Sequence, residues 1–276
     1  MPIHRAIPLS DLSPDEFDRI DAVVMRHAYD AHNRLGRLFD ERVYENELAR
    51  TLRAAGHEVH TQVPVTVTLG GFEKIYYLDI IVDHMPYELK TVATLLPEHK
   101  AQALHCAMLM DVRRVKLLNF RNERVEGNLC FAPVNDALRR QARFDTGTWR
   151  PQSDICESLL RQLRELMADW GTHLSSRLYT EALVHFSGGE ARCLQRVPVG
   201  DLGTHLLQSH APGMAFLLTS LTRGLEDYRH HLVRLINHLQ ITALQWFNLD
   251  HSTVACETLF RGMARELERG YTSDPE

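Results

Sequence analysis

No apolar run in this chain is long enough for a membrane span, and no hydrophobic signal core marks its N-terminus. The expectation is a cytoplasmic protein without a membrane partner. Cysteine is sparse. Cys106, Cys130, Cys156, Cys193 and Cys256 are odd in number and far apart, with no C-x-x-C spacing, so a zinc ribbon, a redox pair and a disulfide framework are not indicated. Positive charge is not in excess either. The net charge is −5 and the pI about 6.3, which is not the footprint of a protein that coats nucleic acid; any such contact must use a local patch or be transient. The sixteen histidines are scattered and read as surface or core residues. What remains is a chain of 276 residues with 44% apolar and 24% charged residues, enough for one large or two ordinary globular domains.

The stretch Tyr76 to Lys90 carries the chemistry. Tyr76 to Val82 is β-branched and aromatic, Asp83-His84-Met85-Pro86 breaks the run, and Tyr87 to Val92 resumes it, so two short strands joined by a turn are predicted. Glu88 and Lys90 share a face. Asp79 interrupts an apolar strand, where a carboxylate is costly without a partner. An aspartate followed by Glu-x-Lys is a pattern of metal-dependent nucleases. Carboxylates hold a hard cation such as Mg²⁺, and the lysine steers water or stabilises developing negative charge. Taken alone the pattern is a weak signal, and a surface Glu–Lys pair beside a capped turn is then the better reading.

The surrounding elements give it a setting. Ser13-Pro14-Asp15-Glu16 predicts a capped helix start, and Phe17, Ile20, Val24, Ala28, Ala31 and Leu35 form one helical face ending at Gly36. A second helix is predicted over Phe39 to Ala55, with Glu41 and Tyr44 neighbours on one turn. A strand over Glu58 to Leu69 turns at Gly70-Gly71 into the Asp79 strand. A helix from Glu98 to Met110, a strand over Val112 to Phe120 and another over Arg124 to Phe131 follow. The order predicts a mixed sheet with helices packed on it, an α/β (α+β) class.

These motifs in this order resemble the GxxExxY family of small bacterial proteins, within the PD-(D/E)XK nuclease superfamily. The matching pieces are Glu41-Arg42-Val43-Tyr44-Glu45, Gln62-Val63-Pro64-Val65, Leu78-Asp79-Ile80-Ile81-Val82, Glu88-Leu89-Lys90, Leu96 to Gln102, and Leu117-Leu118-Asn119-Phe120. The resemblance implies a restriction-endonuclease-like core and hydrolysis of nucleic acid, DNA rather than RNA. It implies Asp79, Glu88 and Glu41 as ligands of Mg²⁺ or Mn²⁺, the Leu89 carbonyl completing the coordination. Lys90 would be the catalytic lysine, and Gln102 a polar residue brought to the site by the following helix. Two departures stand out. Leu38 occupies the position of the family's glycine, and the turn between Asp79 and Glu88 is one residue short and contains Pro86. Converging carboxylates repel, each pair at about 5 Å and an effective dielectric of about 20 costing roughly 3 kcal/mol. A divalent cation and Lys90 resolve that conflict; a protonated carboxyl is the resolution without metal.

The second half reads as a worn copy of the first. Gly171 to Tyr179 repeats the spacing of Gly36 to Tyr44, and Val197-Pro198-Val199 answers Val63-Pro64-Val65. Met214 to Leu249 aligns without a gap onto Met85 to Phe120, although Met214, Leu218, Leu225 and Asn248 alone are identical. In this alignment Asp79, Glu88, Lys90, Glu41 and Gln102 fall on Gln208, Leu217, Thr219, Ser176 and His231, so no second site survives. The expected domains are a nuclease-like domain over 1–135, a linker over 136–152 and a degenerate repeat over 153–276. The repeat would serve as a pseudo-subunit in an intramolecular pseudo-dimer, the chain being a monomer or weak homodimer. Arg223, Arg229, Arg234 and His230-His231 suggest a basic strip, which a solvated helix face explains equally well, and Met263 to Arg269 suggests an amphipathic C-terminal helix. The alternative to a nuclease with one active site is a non-catalytic scaffold that binds nucleic acid or protein, which the acidic pI favours.

Overall fold

The protein is described by a computed structural model over residues 2–133 and 135–263. The expected C-terminal helix therefore lies, from residue 264 on, outside the described residues. The chain divides into two compact units, Met1–Leu138 and Arg139–Glu276. The described residues form two six-stranded mixed sheets and eight helices, which is the mixed α/β class the sequence predicts. Among the described residues no helix is long and apolar enough to cross a membrane.

Unit 1 runs β1 (Ile3–Arg5), α1 (Pro14–Leu35), α2 (Glu41–Ala54), β2 (Val59–Leu69), β3 (Phe72–Val82), β4 (Met85–Lys90), α3 (Pro97–Met110), β5 (Arg114–Asn119) and β6 (Glu126–Phe131). Its sheet has the order β1-β2-β3-β4-β5-β6, with β4 and β5 parallel and the remaining neighbours antiparallel. The Ser13 hydroxyl accepts from the Glu16 N–H, and the Glu16 carboxylate accepts from the Ser13 N–H at 2.9 Å, so α1 starts with the capping box read from sequence. Its end is Gly36, at φ +76, whose N–H donates to the His32 carbonyl at 2.8 Å.

The turn between β3 and β4 is tighter than expected. It contains Asp83 and His84 alone, both at positive φ, while Met85 and Pro86 already pair with Val82 and Ile81. A two-residue hairpin turn needs two left-handed residues, and Asp83 sustains the strain by accepting from the Glu58 N–H (2.9 Å) and meeting His57 Nδ1 at 2.6 Å.

Packing then sorts β4 by face. Tyr87 and Leu89 join the core that α1 and α2 supply through Phe17, Val24, Ala28, Tyr44 and Leu48. Glu88 and Lys90 alternate to the other side, and from there Gln102 and Cys106 of α3 reach Glu88. The same alternation that buries the apolar half of the strand thus gathers its charged half.

Unit 2 contains α5 (Asp154–Trp170), α6 (Ser176–Phe186), α7 (Glu190–Cys193), β8 (Leu194–Pro198), β9 (Thr204–Ala211), β10 (Met214–Thr219), α8 (Leu225–Leu239), β11 (Ala243–Asp250) and β12 (Thr253–Phe260). Before them come α4 (Asp136–Arg139) and β7 (Arg143–Thr148). The second sheet has the order β7-β12-β11-β10-β9-β8. The stretch expected to be a linker therefore carries a sheet strand, β7, which runs parallel to β12.

The units share details of register. Tyr87 to Lys90 pair with Lys116 to Asn119, and Phe216 to Thr219 pair with Gln245 to Asn248, position for position in the gapless alignment. The β5–β6 and β11–β12 pairings agree in the same way, from Arg114–Phe131 and Ala243–Phe260 onward. The helices before β5 and β11 both end on a left-handed residue, Asp111 and Gln240. The Tyr44 hydroxyl donates to the Gly36 carbonyl at 2.6 Å, and the Tyr179 hydroxyl to the Gly171 carbonyl at 2.5 Å. Inside the fold, Lys116 Nζ meets Asp21 Oδ2 at 2.5 Å, while at the matching positions Gln245 Nε2 meets Cys156 Sγ at 3.5 Å.

One shared device sets a testable cost. Asn119 is fully buried; its Oδ1 accepts from the Val92 N–H (3.1 Å) and its Nδ2 donates to the Val92 carbonyl (2.8 Å). Asn248 treats Leu221 identically, at 2.8 and 2.9 Å. Each amide satisfies the backbone where the chain leaves the central parallel strand. Asn119→Ala is expected to cost about 1–3 kcal/mol, since it leaves two part-buried backbone groups of Val92 without their partner. A shift in the urea midpoint with unchanged m-value checks this; a cost below about 0.5 kcal/mol means the loop is held otherwise.

Candidate active site

The site is built where β3, β4 and the first turn of α2 meet. β4 supplies Glu88 and Lys90, with Glu88 2% exposed and Lys90 9%. Lys90 Nζ donates to Glu88 Oε1 at 2.8 Å and to the Leu89 carbonyl at 2.8 Å, and lies 3.7 Å from Glu41 Oε2. Glu41 is the first residue of α2, and its side chain is partly open to solvent. Asp79 is fixed from a different direction, Oδ2 accepting from the Leu89 N–H at 2.8 Å. Gln102 Nε2 donates to Glu88 Oε1 at 2.6 Å. All six residues singled out from sequence thus join one network.

The network differs in one respect from the expected convergence of carboxylates on a common point. Among the described residues no three His, Cys, Asp or Glu side chains are grouped so as to hold a metal ion. The Lys90 ammonium is interposed: it already occupies oxygens of Glu88 and Leu89, while Asp79 is drawn aside to the Leu89 N–H.

Electrostatics follow from burial. Burial and then the Asp79 charge push the Glu88 carboxyl up to about 7, with Lys90 opposing. Burial also raises Asp79, against the Leu89 N–H and Lys90, and raises Glu41, against Lys90. Burial alone would lower the Lys90 ammonium, but Glu88, Glu41 and Asp79 outweigh it and the net shift is upward. All three carboxyl groups are raised chiefly by burial, so their charged forms lack solvent that a cation could replace. The donors there are carboxylate and carbonyl oxygens, the chemistry that suits a hard divalent ion, and the ammonium shows that these oxygens accept a cation. An incoming ion competes with Lys90 for them.

Two further members, Gln62 and Glu45, received no role from the sequence. Glu45 is 2% exposed, one turn beyond Glu41 on α2, and its carboxyl is raised by burial despite Gln62 and Arg42. Gln62 Nε2 donates to Glu45 Oε2 at 2.7 Å and stands 3.5 Å from Asp79 Oδ1. Gln62 has φ +51, and the ladder between β2 and β3 skips this rung, pairing Thr61 with Ile80 and Val63 with Leu78. A left-handed glutamine inside a strand is strained. Here the irregular backbone turns the side chain to bridge α2 and Asp79. The available signal was the i, i+4 spacing of Glu41 and Glu45; nothing in the local pattern marks the broken rung.

In unit 2 the matching positions carry no such set. Thr219 Oγ1 donates to Asn248 Oδ1 at 2.7 Å and accepts from Trp246 Nε1 at 2.8 Å, and Leu217 replaces the glutamate.

Residues 18–129 match the sequence profile of a family described as PD-(D/E)XK nuclease superfamily. No curated protein and no solved structure matches the chain.

Proposed function

We propose that unit 1 is a metal-dependent phosphodiesterase acting on nucleic acid, with one site per chain. The observation that carries this reading is the Lys90 ammonium seated between the Glu88 carboxylate, the Leu89 carbonyl and Glu41, inside the segment matching the nuclease superfamily. Asp79, Glu88, Glu41 and the Leu89 carbonyl would hold Mg²⁺ or Mn²⁺. Bound there, the ion supplies Lewis acidity toward the phosphodiester and lowers the pKa of a water. Lys90 orients the attacking water and offsets negative charge as it develops on the phosphate. Gln102 fixes the rotamer of Glu88 through its 2.6 Å bond, and Gln62 holds Asp79 against α2.

Incubation with labelled single- and double-stranded DNA and RNA, in Mg²⁺, Mn²⁺ or chelator, tests it. Cleavage that needs the ion is expected; no cleavage of any substrate leaves the non-catalytic scaffold as the better reading. Gln62→Ala is expected to lower the cleavage rate about 10- to 100-fold in a folded protein, because it loosens a partner of a proposed ligand. A variant with wild-type rate removes Gln62 from the site.

We also infer membership of the GxxExxY group and descent of the two units from one duplicated domain, unit 2 having lost its site. The shared register, the paired Tyr–Gly and Asn–backbone bonds and the matched Asp21–Lys116 and Cys156–Gln245 contacts support the duplication. On this reading the nuclease domain is unit 1 and the degenerate repeat is unit 2, from 139 on, with β7 a strand of its sheet, and DNA is the preferred substrate.

A further inference from the structure

We infer that the substrate of this site is single-stranded, and that an unpaired base next to the scissile phosphate stacks on Tyr77. The inference rests on the nuclease reading and narrows it. Tyr77 lies on β3 two residues from Asp79, about 7 Å along the strand. It pairs with Pro64, which lies two residues from Gln62 on β2. The residue is 55% exposed, and among the described residues it has neither a hydrogen bond nor a ring partner. The next rung on the same side carries Ile75, 41% exposed, opposite Thr66. Phe39, 47% exposed, stands two residues before Glu41. Exposed rings thus lie in sequence beside two of the proposed ligands.

Charge argues for bases rather than a duplex backbone as the handle. Arg42 is bound to Glu45, Lys90 to Glu88, Arg34 and Arg50 to Glu47, and the Arg121 Nε to the Thr91 carbonyl. Of the cations near the site residues in sequence, Arg37 and Lys100 are exposed and have no hydrogen-bond or ion-pair partner among the described residues. A duplex footprint needs about 6–10 phosphate contacts, and the chain is net negative. Stacking needs no cation and accepts every base.

The test uses the full chain. Glu88→Gln, which keeps oligonucleotides intact, is titrated in Mg²⁺ with a labelled single strand and with its duplex, as DNA and as RNA. It is then repeated with Tyr77→Ala and Tyr77→Trp added. Single strands are expected to bind at least about tenfold tighter than duplexes; Tyr77→Ala removes about tenfold of that, and Tyr77→Trp keeps it. The salt dependence should correspond to roughly one to three phosphates. Equal binding of duplex and single strand, or identical behaviour of the alanine and tryptophan variants, overturns the inference. So does a wild-type dimer in sedimentation that Tyr77→Ala dissociates, which would make the exposed strip a protein interface. Wild-type protein that binds single strands as described but cuts nothing refutes the nuclease reading alone; equal cutting of duplexes refutes the inference alone.

Discussion

Glu88→Ala and Lys90→Ala are each expected to reduce the proposed metal-dependent cleavage at least about 10²- to 10³-fold, the loss that follows when one group facing the transition-state charge is removed. The two variants differ in what they do to the fold. Lys90 neutralises a carboxylate that is 2% exposed, so a neutral residue in its place leaves that charge alone in the interior. The Glu88 carboxyl, already up at about 7, then takes a proton at neutral pH instead of unfolding the protein. The sign of the pH dependence follows. Glu88 ionises in the folded state near 7 and in the unfolded chain near its ordinary value of 4.5. Between those values the folded state binds the extra proton, so its contribution to stability is full below 4.5 and is lost as pH rises through 7. The amount is roughly 3 kcal/mol across the window. Metal-free wild type is therefore expected to melt lower at pH 8.5 than at pH 6, Lys90→Met to show a larger drop, and Glu88→Gln to show little. Melting curves in chelator read all three. A Lys90→Met protein as stable as wild type at pH 8.5 would mean Glu88 is not desolvated.

Acid should weaken unit 2 through His210. This residue is 3% exposed, packs its ring 6.0 Å from Phe216, and finds Cys156 Sγ 3.3 Å from Nε2, while Nδ1 has no hydrogen-bond partner among the described residues. Burial pushes its pKa down to about 4. The unfolded chain, with an imidazole near 6.5, binds the proton first, so stability is lost as pH falls from 6.5 to 4 and no further below that. The expected loss is about 3 kcal/mol. At the matching position unit 1 has Ile81, 1% exposed. His210→Ile should remove most of this acid sensitivity, read as the change in urea midpoint between pH 7 and pH 4.5. An unchanged pH dependence in the variant would assign the acid lability to other groups.

Some of this structure was written locally. Ser13 and Glu16 close a capping box because both partners lie within one turn, and Gly36 ends α1 because a left-handed residue is needed there. Gln102 was marked through the family resemblance and not by any local pattern, and the structure places it on Glu88. Other features depend on partners distant in sequence. The broken rung at Gln62 forms because Glu45 and Asp79 lie where its amide can reach both. Pro86 reads as a turn residue, yet Asp83 takes the left-handed strain and lets β4 begin at Met85. The strand at Arg143–Thr148 was hidden in a stretch rich in breakers, and its pairing with β12 is set by a segment more than a hundred residues away. The position of Lys90 among the carboxylates was also not legible, because side-chain spacing gives the face but not which oxygen the ammonium takes.

Calorimetric titration of the chelator-stripped protein with Mn²⁺ examines the proposed site most directly. Binding of one ion per chain, with release of protons near pH 6.5, is expected, and it should be lost in both Asp79→Asn and Glu88→Gln. No binding, or binding that both variants retain, would contradict a metal-dependent site on Asp79 and Glu88.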